Sequence, residues 1–591
     1  MKISTLCLII FSIQNSFSQK KDENIGTEVV NVVKPYTPSI SDAFKIKDNP
    51  IIDDSENSKK EIIKYDIFSF PVASTFAPAK GRAANVEQKQ KASLYKNYAS
   101  IGFGNYGTVN GRLFITENIG EAGYFGAKLS HQSSQGNIPN IVLNNKYSNS
   151  DFDLNYGEKL ENYAWKTSIG YKHQMYSWYG LPENFGAIFG PDEIYLLQNK
   201  INPNHSFQDF YALAKIDFKD SFVSEIAAKI DRFVDSNNSL ENSFELQPIF
   251  KFNIGESILK TIVGMKYQSN FFEKFYGSDA SLTATSNEST FLNFCITPNY
   301  TIENEMYNIN IGAKVVLQNN TKMVVSGIDL GNSQKTFVYP NISASANLVD
   351  NILIAFVSLD GNLTQNSYHD FVDQNPFLSP TLTILPTDKT YDFNIGIKGK
   401  LTNNVGYTLK ATLIDEKNKA LFKNNPYNNF TTNRDYENGN SFGVVYDNIK
   451  TTGFFGELNA DFADIFSMRI NAEYNNYSTD NESFAWNLPN IKASSIFEWN
   501  FLEKWSAATH IFYAGARKDF KILAFEPAFI GGDINLDPYF DANFNLEYQY
   551  NGKLALYTKI NNISGQNYQK WVNFPSQGLQ FMVGAHYKFD F

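Results

Sequence analysis

The sequence predicts an all-β fold: a transmembrane antiparallel β-barrel of about 22 strands, preceded by a short extended N-terminal tail in the periplasm. Three observations predict it. Apolar and polar residues alternate along segments of about 10 to 15 residues. The connections between these segments alternate between short and long. Aromatic residues make up 15% of the 591 residues, with 50 Phe and 34 Tyr.

The composition excludes several other classes of protein. The mean hydropathy is −0.33, and no apolar run reaches the length of about 18 residues that a membrane helix needs. Only two Cys are present. Cys7 lies in a predicted leader, so Cys295 alone cannot form an intramolecular disulfide or a multi-Cys zinc site. The net charge of −10 argues against a nucleic-acid partner, because such proteins usually show a basic face.

Residues 1–18 form the first element and have the layout of a secretory signal peptide. Lys2 gives a positive start, an apolar stretch runs from Leu6 to Phe11, and Ser16 and Ser18 resemble a small-residue cleavage site. The apolar stretch is too short to span a bilayer. The alternative is a buried N-terminal strand. The signal peptide predicts that the protein leaves the cytoplasm.

Residues 19–92 differ in character from everything that follows. They contain the charged run 59–61 and several prolines, among them Pro35, Pro38 and Pro71, and few of their positions alternate. This composition is typical of an extended, partly disordered segment. We therefore expect a tail that lies in the periplasm or inserts into the barrel lumen.

Residues 93–591 carry the alternation that defines the barrel. In the last segment Phe581, Val583 and Tyr587 share one parity, while Gln580 and Lys588 occupy the other. A soluble sandwich and a membrane barrel both produce this pattern. Long strands, ionic groups in mid-strand and aromatic residues gathered at strand ends favour the membrane barrel.

The connections give the strand count. Short turns are predicted near residues 119–122, 160–163, 219–222, 254–257, 303–306, 349–352, 402–405, 462–465, 502–505 and 550–553. Long loops are predicted near residues 133–145, 177–206, 271–289, 318–336, 367–389, 422–441, 478–492, 520–538 and 566–577, with shorter bends near 105–107 and 236–239. Together these connections give about 22 strands, one of which must run unbroken from Ser441 to Phe462. Short turns face the periplasm and long loops face the outside in bacterial barrels.

The C-terminal segment resembles the end of TonB-dependent receptors. The run 561–568 is rich in Asn and ends in Tyr568, the stretch 574–578 holds a Pro and a Gly, and the final strand ends at Phe591. The resemblance implies that Phe591 is part of the signal read by the outer-membrane assembly machinery. It also implies a location in the outer membrane of a Gram-negative bacterium.

The N-terminal tail departs from that family, because 19–92 is shorter than the globular plug such receptors carry. The chain therefore resembles a receptor barrel without its plug. Within the tail, one short extended segment has the look of a TonB box and could add as a strand to a periplasmic partner. Its residues are Thr27, Glu28, Val29, Val30, Val32 and Val33. The alternative is an apolar patch that packs against the barrel.

Chemistry-bearing motifs are scarce. His131 precedes two serines and His369 precedes Asp370, but neither spacing is specific to an enzyme family. We predict no catalytic residue, no cofactor and no metal site from the sequence. The long loops are more informative, because dense aromatic residues can stack on ligands. Tyr176, Trp178, Tyr179, Tyr427 and Tyr436 are the candidate external ligand contacts. The alternative is that these rings cover one another and close the mouth.

Three functions remain open at this stage. The first is a receptor or transporter for a bulky ligand, with the tail contacting TonB. The second is a non-transporting subunit of an outer-membrane assembly, with the tail binding another periplasmic protein or the barrel binding a surface lipoprotein. The third, an outer-membrane enzyme, is not favoured. In every case outer-membrane lipid surrounds the barrel, and something must fill a lumen of this width.

Overall fold

The computed structural model describes residues 95–591 apart from 184, 186–189, 256, 278–285, 428–433, 463–464 and 525–529. The predicted signal peptide 1–18, the tail 19–92 and the TonB-box-like residues within it lie outside the described residues. They stay predictions.

The described chain is almost entirely β-structure. The strands of the first part are β1 (Asn97–Gly104), β2 (Thr108–Ile119), β3 (Gly123–Ser134), β4 (Tyr147–Lys159), β5 (Tyr163–Ser177), β6 (Asn204–Phe218), β7 (Val223–Asp235), β8 (Leu240–Ile254), β9 (Ser257–Phe272), β10 (Asn287–Glu303), β11 (Tyr307–Val325), β12 (Ile328–Asp329), β13 (Ser333–Val349) and β14 (Leu353–Thr364). The later strands are β15 (Thr387–Thr402), β16 (Val405–Asn424), β17 (Phe442–Phe462), β18 (Phe466–Thr479), β19 (Ile491–Phe501), β20 (Trp505–Ala514), β21 (Arg517–Ala524), β22 (Ile530–Leu536), β23 (Tyr539–Gln549), β24 (Leu554–Asn561), β25 (Gln569–Trp571), β26 (Phe574–Pro575) and β27 (Gln580–Phe589).

Two short α-helices interrupt the strands of the described part, and both lie in long loops. Helix α1 spans Pro191–Lys200 and helix α2 spans Tyr368–Gln374. A single 3₁₀ turn, Asn105–Gly107, joins β1 to β2. Among the described residues, no helix is long and apolar enough to cross a membrane.

Twenty-two of the strands close into one antiparallel barrel, which confirms the predicted fold class. Each strand pairs with its neighbours in the chain, and β1 also pairs with β27. Ile101 lies opposite Gly111 of β2 on one side and Ala585 of β27 on the other. Strand β12, the hairpin β21–β22 and the pair β25–β26 belong to loops.

The two faces of the barrel wall differ as the alternation predicts. On neighbouring strands Ile395, Leu409 and Phe454 point outward and are 52%, 51% and 59% exposed. Gln268 and Ser289 have the opposite parity and are buried on the inner side. An apolar exterior around a polar interior suits a wall in contact with lipid. The closed sheet also leaves no unpaired strand edge in the hydrocarbon.

Aromatic residues form a belt at the short-turn ends of the strands. Phe222 stacks on Phe250 with ring centroids 6.3 Å apart, and Trp505 lies 4.7 Å from Tyr548. Rings of this kind mark the boundary between hydrocarbon and water. The belt explains part of the high aromatic content.

The strands on either side of the ten predicted short turns end and begin where the sequence predicts, and β17 is the single long strand expected to end at Phe462. One boundary differs. The sequence predicts a loop over residues 318–336. In the structure, β11 continues to Val325 and stays paired with β13, with Asn320 opposite Ser333. Residues 318–322 of β11 are all polar, so the alternation disappears there while the backbone hydrogen bonds continue. The 21 residues of β17 likewise exceed the roughly 10 that span a membrane.

Candidate functional site at the external mouth

The loops at the long-loop end, which faces outward in bacterial barrels, meet in one apolar cluster. We call this cluster the loop core. It consists of Phe207, Phe233, Phe272, Tyr368, Phe371, Val372, Leu378, Leu382, Ile384, Phe442, Leu536, Trp571, Val572 and Phe574, all buried. Four members lie on barrel strands and the others on three separate loops. Side chains far apart in sequence therefore pack together over the mouth of the barrel.

The first turn of helix α2 is fixed by buried hydrogen bonds. The backbone N–H of Tyr368 donates to Glu241 Oε2 at 2.6 Å, and its hydroxyl donates to Asp235 Oδ2 at 2.8 Å. Gln268 Nε2 donates to the same Glu241 oxygen and to the carbonyl of Asn366. Ser367 caps the helix by accepting from the N–H of Asp370. The loop between β14 and β15 is thus tied to the inner wall at β7, β8 and β9.

Trp178, one of the predicted ligand contacts, is buried at the edge of this arrangement. Its ring stacks on His205 with centroids 4.2 Å apart and an interplanar angle of 20°. Tyr436, another predicted contact, meets it edge-on at 5.8 Å. Both side chains are at most 3% exposed, so in this state their rings contact protein.

The remaining predicted contacts also make protein contacts. The Tyr179 hydroxyl donates to the carbonyl of Pro575 at 2.9 Å, and burial raises its pKa. Tyr427 is buried with its ring edge-on to Phe185 at 5.9 Å. Tyr176 accepts from Asn149 Nδ2 at 2.9 Å on the wall. Each of the five side chains thus contacts other protein groups, Trp178 and Tyr436 contact each other, and their contact with a ligand stays a prediction.

The abundance of Asn in the loop between β16 and β17 has a structural reason. Asn424 Nδ2 donates to the carbonyls of Gly439 and Ser441, at 3.2 and 3.1 Å. Asn440 Nδ2 donates to the carbonyls of Trp178 and Asp435, both at 2.9 Å. Buried loop backbone has no ladder partner, and a short amide side chain supplies the missing donor. These bonds also join the 424–442 loop to the 177–204 loop.

Charged groups attach the hairpin β21–β22 to the end of β16 and to the loop between β24 and β27. Asp519 is fully buried and accepts from the N–H groups of Asn424 and Phe520, at 3.0 and 2.8 Å. Burial raises the pKa of Asp519 to about 6. Arg517 donates to the carbonyl of Gln569 at 2.7 Å, with its guanidinium 4.9 Å from the Tyr539 ring centroid. Polar contacts thus connect loops that the apolar cluster also joins.

Two of the histidines weighed at the sequence level lie in different surroundings. His131 is on the outward-facing parity of β3, with its ring nitrogens 2.8 and 3.1 Å from the hydroxyls of Ser150 and Ser133. His369 is on α2 and faces the inner wall, near Asp209 and Asp231. The sequence does not reveal this second grouping, because the helix that carries His369 lies far along the chain from the neighbouring strands β6 and β7, which carry Asp209 and Asp231.

Comparison with known proteins gives a clear result at the level of the fold. No protein-family model and no curated protein matches the sequence. Among solved structures, the FrpB iron transporter from Neisseria meningitidis aligns with a TM-score of 0.62 at 10% identity, covering 84% of this chain and 82% of that one. The ferric-catecholate import receptor Fiu from E. coli K12 gives 0.59 at 12%, covering 84% and 82%.

The ferripyoverdine receptor of the outer membrane of Pseudomonas aeruginosa gives a TM-score of 0.60 at 13% identity, covering 84% of this chain and 72% of that one. At these identities the similarity concerns the fold, and it agrees with the receptor-like barrel that the C-terminal segment predicts. An apolar outer wall on a barrel of this kind places the protein in the outer membrane of a Gram-negative bacterium. The chain has the 22-stranded barrel fold of outer-membrane receptors.

Proposed function

We propose that this protein is an outer-membrane receptor that binds a bulky ligand at its external loops and admits it through the barrel. The observation that carries the proposal is the loop core, because it is built from several loops that can separate without breaking the barrel wall. Loops on a rigid scaffold commonly carry binding. The structurally similar proteins are receptors and a transporter, which supports the same function.

The closed mouth is the resting state in this proposal. Ligand binding would exchange ring-to-ring contacts in the loops, such as Trp178 with Tyr436, for ring-to-ligand contacts. Such an exchange needs only a small free-energy change if the two sets of contacts bury similar apolar area. A segment near the N-terminus that engages TonB would then couple uptake to TonB.

The proposal is tested by ligand-dependent conductance in planar bilayers. The probes are ferripyoverdine, a ferric catecholate complex, a maltooligosaccharide mixture and a tryptic peptide mixture, applied to the full chain and to a chain lacking residues 19–92. We expect at least one probe to change the conductance in a saturable way. No change with any probe in either chain would overturn the receptor proposal.

A second function, an accessory subunit of an outer-membrane assembly, is favoured by one observation. Three of the predicted ligand contacts, Trp178, Tyr427 and Tyr436, are buried against protein, and such packing suits a permanent cover of the barrel as well as a movable one. Purification of the intact protein from native membranes separates the two functions. A stable stoichiometric complex with a surface lipoprotein or a periplasmic protein, together with unresponsive conductance, would establish the subunit.

A further inference from the structure

Three side chains with metal-ligating groups meet beneath helix α2. Asp209 on β6 and Asp231 on β7 project from the inner wall, and His369 projects from the helix. One ligand atom from each lies within 4.8 Å of the other two. The grouping joins a loop to two strands of the wall and is separate from the aromatic contacts discussed above.

The distances from the His369 ring to Asp209 and Asp231 are longer than hydrogen bonds, and each involves a different nitrogen of that ring. His369 Nδ1 is 3.7 Å from Asp231 Oδ1, and His369 Nε2 is 3.8 Å from Asp209 Oδ2. Hydrogen bonds between such groups are below about 3.2 Å. Ligands about 2.1 Å from a tetrahedral zinc ion are about 3.4 Å apart. Phe233 also stacks on the His369 imidazole, with ring centroids 4.7 Å apart and an interplanar angle of 12°, and this contact restricts rotation of the imidazole.

A second observation points to a cation at this place. The side chain of Asp209 is 5% exposed, and its Oδ1 has no hydrogen-bond partner among the described residues. A buried carboxylate without a partner is costly. The other carboxylate oxygen, Oδ2, is the one 3.8 Å from His369 Nε2, so the buried side chain lies against the group.

The charges around the group leave an excess of negative charge. Lys229 Nζ is 2.7 Å from Asp231 Oδ2, and Lys172 Nζ is 2.9 Å from Asp373 Oδ1. Asp373 also lies 3.6 Å from His369 Nε2. Three carboxylates therefore face two ammonium groups, and Asp209 is the one with no lysine of its own.

We propose that Asp209, Asp231 and His369 bind a divalent transition-metal cation of the zinc class, which fastens α2 to the inner wall of the barrel. One imidazole nitrogen with two carboxylate oxygens is a donor set that suits Zn²⁺ and its neighbours. When Nδ1 binds the cation, Nε2 faces the separate carboxylate of Asp373 at 3.6 Å, the arrangement that orients metal-bound histidines. The inference is independent of the receptor function.

The test uses untagged full-length protein from which metal has been removed with a chelator. One titration uses Co²⁺, whose visible absorption reports its coordination, and a second uses Zn²⁺ and is followed by calorimetry. We expect one equivalent to bind. Asp209→Asn and His369→Gln should each weaken binding at least about tenfold. The matched controls are Asp217→Asn, at the far end of β6 and half exposed, and His173→Gln, on the outward parity of β5. Both should bind as the unchanged protein does.

A second readout follows the loop itself. Zn²⁺ should slow proteolysis between Thr364 and Thr387 in the unchanged protein and in both controls, but not in Asp209→Asn or His369→Gln. Circular dichroism establishes that each variant keeps its strands. Absence of stoichiometric binding, binding that survives both substitutions, or bound metal that leaves proteolysis unchanged would each overturn the proposal. Loop protection that follows pH and ignores metal would identify an imidazolium–carboxylate contact instead.

Discussion

At the scale of single residues, Asp519 shows how a buried acid makes the loops sensitive to pH. Burial raises its pKa from 3.8 to about 6, so the folded loops bind this proton more tightly than the unfolded chain does. The resulting stabilisation is fully present below about pH 4 and is lost as the pH rises through about 6. The change is on the order of 2 to 3 kcal/mol.

Asp519→Asn should remove this pH dependence, because the amide cannot ionise. The measurement is hydrogen exchange of hairpin β21–β22 between pH 4 and 7, corrected for intrinsic rates. The control is Asp533→Asn on β22, whose side chain is 49% exposed and 3.5 Å from Lys518. That variant should keep the pH dependence of the unchanged protein. An equally steep dependence in Asp519→Asn would show that another group is responsible.

At the scale of elements, helix α2 is held by hydrogen bonds as well as by apolar contacts. Tyr368→Phe keeps the ring in the loop core but removes the bond to Asp235 Oδ2. Losing the partner of a buried carboxylate costs about 1 to 3 kcal/mol. We expect local opening of the 364–387 segment to increase about fivefold to 100-fold, measured as proteolysis of metal-free protein under conditions in which cleavage follows the open population.

The control for this element is Tyr195→Phe on α1, where the side chain is 66% exposed. Its hydroxyl is solvated, so cleavage rates should stay within about twofold of the unchanged protein. If the two variants open equally, the bond to Asp235 does not hold the helix.

At the scale of the whole molecule, the loop between β14 and β15 is expected to close the mouth. It supplies Tyr368, Phe371, Val372, Leu378, Leu382 and Ile384 to the loop core. Replacing residues 366–386 by a short Gly-Ser linker should therefore open the external end. The loop replacement is made in a chain that also lacks residues 19–92, and the comparison protein lacks 19–92 alone. The steady conductance of the first in planar bilayers should exceed that of the second, because a barrel of this size encloses a wide lumen.

A matched deletion distinguishes the loop core from loops in general. Residues 327–331 include Ile328 and Leu330, which are 65% and 64% exposed and lie outside the loop core. Removing them in the same background should leave the conductance unchanged. A rise with this deletion, or none with the first, would contradict the assignment of the gate.

The site was less predictable than the fold, for a reason that particular residues illustrate. Tyr176, Trp178, Tyr179, Tyr427 and Tyr436 stood out because they are aromatic and lie in or beside predicted loops. The residue types alone leave open whether such rings face a ligand or one another. In the structure Trp178 packs between His205 and Tyr436, and its contact with a ligand stays a prediction. Asp209 and Asp231 had no local signal, and the only local feature at His369 was the Asp370 that follows it.

The sequence by itself determined the barrel. A strand exposes its two faces in strict alternation, so apolar and polar parity, turn spacing and terminal aromatic residues suffice to predict 22 strands and their orientation. These are local properties, each readable within about 15 residues. Only the tertiary structure decided the packing of the loop core and the grouping of Asp209, Asp231 and His369. Those features depend on contacts between segments more than 100 residues apart, and loop sequences carry no periodicity that specifies which of them meet.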